Sequence, residues 1–98
     1  MLDPAELSKL KGEVHLGKEI AALIDNQTVK NALTGLMNGL QNEWLVTVSS
    51  AQRELLWQKA VGVQEFVAAL RTIVDTGKMA AHQLATEAAL RGENDEEN

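Results

Sequence analysis

The chain has no cysteine, one proline and three aromatic residues, Trp44, Trp57 and Phe66, among its 98 residues. The missing cysteine removes disulfides, thiolate metal sites and thiol catalysis together. It argues against a small secreted scaffold and makes a reducing cytosol the expected setting. With so few aromatics, Ala, Leu and Val must supply the packing. That suits close helix contacts better than a wide ligand cavity, so neither a cofactor nor a small-molecule substrate is expected. No stretch approaches the roughly 20 apolar residues that a membrane span needs. The start, Met1-Leu2-Asp3-Pro4, lacks the basic region and apolar run of an export signal. The expectation is a cytoplasmic protein that does not enter a membrane.

One-signed charge is also scarce in the body of the chain. Residues 1 to 90 hold eight Lys and Arg against ten Asp and Glu, whereas residues 91 to 98 hold Arg91 against Glu93, Asp95, Glu96 and Glu97. A body without a Lys/Arg cluster argues against nucleic-acid binding, because neutralising phosphates takes several cations on one face. The last residues, 92–98, carry no apolar side chain and read as a disordered acidic tail on a single helical domain, 1–91.

What the chain does have is helical periodicity. Asp3 is placed to cap a first helix, Pro4 suits its first position and Glu6 comes three residues after the cap. Leu7, Leu10, Val14, Gly17, Ala21 and Ile24 then form a seam, widened by Leu16, Ile20 and Leu23. Asp25-Asn26-Gln27-Thr28 breaks the pattern, and Asp25 or Asn26 is positioned to cap a second helix. Val29, Leu33, Leu36, Leu40 and Trp44 define one face of that helix, with Met37 beside it. Gly35 and Gly39 lie four apart on an adjacent line, a spacing that permits close backbone approach or marks local looseness. The β-branched run Trp44-Leu45-Val46-Thr47-Val48 has strand character, but a lone strand has nothing to pair with. It reads as the end of the second helix running into a connection, and Ser49 and Gln52 have capping-box spacing for the third helix.

From about Ser50 to about Leu90 the third helix carries a seam with alternating steps of four and three: Leu56, Ala60, Val63, Val67, Leu70, Val74, Gly77, Ala81, Leu84 and Ala88. If continuous it spans about 60 Å at 1.5 Å per residue, with a possible bend near Thr76-Gly77. In its first half a second stripe, Leu55, Gly62, Phe66 and Ile73, runs beside the first. One stripe is enough for the chain's own helices, which leaves the other for a partner. The expected interface is Leu56, Trp57, Ala60, Val63, Phe66, Val67, Leu70, Ile73 and Val74, with Trp57 as the anchor, since aromatic anchors dominate interface energies.

Sites for chemistry are harder to find. His15 and Glu19 have metal-ligand spacing on a helix, but no second pair completes a site, and a surface ion pair explains them. Ser49 and Ser50 have no activating base nearby in sequence, and the glycines fit no phosphate-loop pattern. No catalytic, metal or cofactor site is expected, and the chain reads as a non-enzyme.

The layout of Leu23-Ile24-Asp25-Asn26, then Val29, Leu33 and Leu36, then Arg53-Glu54-Leu55-Leu56-Trp57 opening a long helix with Phe66, Leu70 and Ile73 is similar to short helical-hairpin proteins encoded among the head-assembly genes of tailed bacteriophages. The likeness covers roughly residues 20 to 85 and is one of pattern, with no site motif, so no functional residue carries over. It implies a virion component or assembly accessory that partners itself or other virion proteins, in the host cytoplasm during infection and then in the particle. The expectation is therefore an all-α, self-associating interaction module: two shorter helices on a long C-terminal helix, a helical hairpin or three-helix bundle. The alternative is a small phage-type inhibitor or adaptor that binds a host protein. Deleting residues 92–98 separates the two, because only a charge mimic loses binding.

Overall fold

The structure is a computed structural model that describes residues 2–97, and the side chains of residues 2–92. It holds three α-helices, α1 (Pro4–Asp25), α2 (Gln27–Val46) and α3 (Ser50–Glu97), and no strand among the described residues. The expected class is the one that forms: two shorter helices, each packed on part of a long C-terminal one. The acidic tail expected over residues 92–98 lies, apart from Gly92, outside the described side chains.

The helix ends are set by local chemistry. The Asp3 carboxylate accepts the Glu6 N–H at 2.8 Å, satisfying one of the orphan donors at the start of α1. Asn26 is the cap of α2, its side-chain oxygen accepting the Val29 N–H at 3.1 Å from an extended backbone. The β-branched run ends α2 as expected. Helix geometry stops at Val46, and Thr47 turns extended while its hydroxyl donates to the Glu43 carbonyl at 2.6 Å. Ser49 then caps α3, accepting the Gln52 N–H at 3.4 Å. α3 runs unbroken through Gly77.

The chain forms two compact units, Met1–Ala21 with Arg71–Asn98, and Ala22–Leu70. In the first, α1 lies antiparallel on the second half of α3. The Leu2 N–H donates to the Glu87 carboxylate at 3.4 Å near one end, and Gly17 meets Gly77 nearer the other. That meeting is a backbone crossing: a Cβ on Gly17 would sit 2.9 Å from the Gly77 Cα, and one on Gly77 would sit 2.9 Å from the Glu13 carbonyl oxygen. Only two residues without side chains allow two helices so near. Ordinary packing through side chains keeps helix axes 8–10 Å apart. Leu10 of α1 is buried in this unit, and Ala80, at 1% exposure, is the most buried hydrophobic residue among those described.

The seam of α3 in this unit differs from the expected one. Ala81 and Ala88 are exposed, while Ala80 is buried and Glu87 half-buried, so the covered line runs from Ile73 and Val74 through Gly77, Ala80 and Leu84 to Glu87. The steps of four and three persist, but the phase moves by one residue at two positions, Ala80 for Ala81 and Glu87 for Ala88. The physical reason is that this stretch of α3 is covered by α1, whose crossing at Gly17 and Gly77 sets which side of the helix is closed. A seam extrapolated from Leu56 follows the line that meets α2 and carries no information about where α1 lies.

In the second unit, α2 and the first half of α3 form an antiparallel hairpin joined by residues 47–49. Leu56, at 8% exposure, is its single buried hydrophobic residue among those described. Gly35 and Gly39 make no close approach here. Nothing lies within 4 Å of a Cβ built on either, so they are helix residues facing open space.

Candidate functional site

The α2–α3 hairpin presents its apolar residues in three directions, and helix geometry decides which. Successive residues are 100° apart, so Leu55 and Trp57 fall on opposite sides of Leu56. Leu56 is buried, with Ala60, Val63, Val67 and Leu70 half-buried on the same line, which is the line that meets α2. One side of that contact is an open groove of about 500 Å³, lined by Leu33, Leu36, Leu40, Gly62, Val63 and Phe66 with Lys59 at its rim. The other side is a cleft of about 350 Å³ in which Met37, Trp44 and Trp57 stand among Leu40, Leu56 and Ala60, with the amides of Gln41 and Gln64 at its edge.

The residues expected to form one interface are therefore divided. Leu56, Ala60, Val63, Val67 and Leu70 line the contact with the chain's own second helix. Trp57, 60% exposed, stands on one side, and Phe66, 59% exposed, stands on the other. Ile73 and Val74 are half-buried and belong to the other compact unit. Leu55, left out of the expected set, is 57% exposed on the Phe66 side.

Arg53 is a residue whose role the sequence reading missed. Its Nε donates to the Trp44 carbonyl at 3.2 Å, and its guanidinium carbon sits 4.0 Å from the centre of the Trp44 ring. The arrangement sets a cation against the carbonyl end of α2 and over an indole face at once. It clamps the two helices beside the connection. The available signal was an arginine in the first turn of a helix, nine residues after a tryptophan in the last turn of the preceding one.

Polar chemistry elsewhere stays on the surface. His15 Nε2 and Glu19 Oε1 are 3.0 Å apart, and both side chains are well exposed. Among the described residues, no three His, Asp or Glu side chains gather to hold a metal ion. No described helix is long and apolar enough to cross a membrane. No family model, curated protein or solved structure matches this chain.

Proposed function

We propose that this chain is a non-enzymatic helical interaction module that self-associates through the apolar sides of its α2–α3 hairpin. The observation that carries this reading is the exposure of Phe66, Leu55 and Trp57 on a hairpin that buries one large hydrophobic residue. An aromatic side chain offers 150–250 Å² for burial. At about 25 cal/mol per Å², covering the part of Phe66 and Trp57 left in water is worth roughly 2–4 kcal/mol each. A few such residues offset the cost of association, which is about 4–15 kcal/mol.

For a biological setting we infer an assembly or structural accessory role in the particle of a tailed phage, acting in the host cytoplasm and retained in the virion. Its support is the likeness of residues 20 to 85 to head-assembly hairpin proteins. An adhesive surface without reactive groups is the equipment such a role calls for.

The test is thermal unfolding by circular dichroism across a hundredfold range of protein concentration. An associating chain melts at higher temperature as concentration rises, because the assembly binds the native state alone. A melting temperature independent of concentration contradicts the reading.

A further inference from the structure

We propose that the Phe66 side of the hairpin is the face that receives a second copy of this chain, in a two-fold arrangement that seats Phe66 of each copy over Gly62 of the other. The proposal rests on self-association and names the face that performs it.

Self-complementarity is the first argument. In a two-fold interface, residue i of one copy meets residue j of its partner, and j meets i. The Phe66 side carries a projecting ring 59% exposed. One turn away on the same stripe is a position with no side chain, where a built Cβ would meet nothing within 4 Å. Two antiparallel α3 helices related by an axis between those positions place each ring over the other's glycine. Both knobs and both holes are then used at once.

The chemistry of the groove also suits a second copy. The groove lining is apolar except for Lys59, whose long stem can lie along apolar surface while its ammonium stays wet. Glu43 and Lys59 share an adjoining depression with Leu55, so the rim carries one charge of each sign. A two-fold copy adds the same pair again without accumulating like charge. Across the hairpin, the Trp57 cleft is lined by two amides, Gln41 and Gln64, whereas the groove at Phe66 is lined by one polar side chain, Lys59, and carries the smaller desolvation penalty.

Area sets a further requirement. A stable interface takes about 800 Å² from each partner. The exposed parts of Phe66, Leu55 and Leu36 supply roughly 300 Å² of apolar centre. That is an apolar centre of a little over a third of the area, which a second copy matches by symmetry, and the polar rim around the groove supplies the remainder.

Sedimentation equilibrium on the full chain tests the proposal with Gly62→Leu, Phe66→Gln and Trp57→Gln, alongside unfolding of each variant at low concentration. All three positions are exposed, so the variants should fold. The wild type is expected to dimerise. Gly62→Leu fills the hole and Phe66→Gln removes the knob, each raising the dissociation constant at least about tenfold. Trp57→Gln should leave it nearly unchanged. Gly62→Leu should also raise the unfolding temperature of the dissociated chain, since a better helix former enters open space. Dissociation by Trp57→Gln alone overturns this face but keeps self-association. A wild type that is monomeric at every concentration overturns both.

Discussion

Replacing Gly77 by alanine sets two effects of known sign against each other. Alanine favours a helix interior by about 1 kcal/mol over glycine. At Gly77, however, the new methyl would lie 2.9 Å from the Glu13 carbonyl oxygen and 3.0 Å from the Gly17 Cα. Both are backbone atoms that no rotamer change can move, so α1 and α3 must separate and the contacts around Leu10 and Ala80 loosen. Overpacking of this kind costs about 1–3 kcal/mol. The net result runs from near zero to about 2 kcal/mol of destabilisation. The internal control is Gly35→Ala, where nothing lies within 4 Å and the helix preference acts alone. It should stabilise by about 0.5–1 kcal/mol. Subtracting one variant from the other cancels propensity and isolates the steric cost. Urea unfolding monitored at 222 nm, at one fixed protein concentration, reads the difference. Gly17→Ala should behave like Gly77→Ala, and the double variant should cost less than the two together, because helices already parted accept the second methyl cheaply. Equal stabilisation by alanine at Gly35, Gly17 and Gly77 would refute the backbone crossing.

The geometry also fixes the outcome of three simpler substitutions. Arg53→Ala loses both the hydrogen bond to Trp44 and the stack on its ring, at a cost of about 1–2 kcal/mol; Arg53→Lys should not restore it fully, and tryptophan fluorescence reports the change. Asn26→Ala removes the cap of α2 and should lower stability by about 1 kcal/mol in chemical denaturation, with Asn26→Asp largely sparing it. Ala80→Glu should unfold the α1–α3 unit, whereas Ala81→Glu, one residue on and exposed, should change the urea midpoint little; equal sensitivity would contradict the observed phase of the seam.

The sequence made the helix ends legible because capping is local. Asp3, Asn26 and Ser49 each bond a backbone N–H three residues on, and that spacing is visible in the chain itself. The end of α2 was readable for the same reason, since a β-branched run without a pairing strand has few alternatives. The partner of each seam was harder to read. Gly17 and Gly77 each stood as one member of its own helix's seam, and no spacing within either helix discloses that they touch. The choice between Ala80 and Ala81 turns on where α1 crosses α3, and two alanines offer no chemical hint of which faces inward. The expected interface was legible as a set of apolar residues but not as a surface. Reading Leu56, Trp57 and Phe66 together ignored the 100° steps that put the last two on opposite sides of the hairpin. Arg53 was missed because its value lies in a contact across the connection.

The most direct measurement is the molar mass of the full chain in solution by light scattering, at tens of micromolar with no partner added. Self-association through the hairpin predicts a mass of at least twice the 10.7 kDa of one chain, falling toward that value on dilution. A mass of one chain throughout would contradict the account, leaving Phe66 and its neighbours exposed with no second copy to cover them.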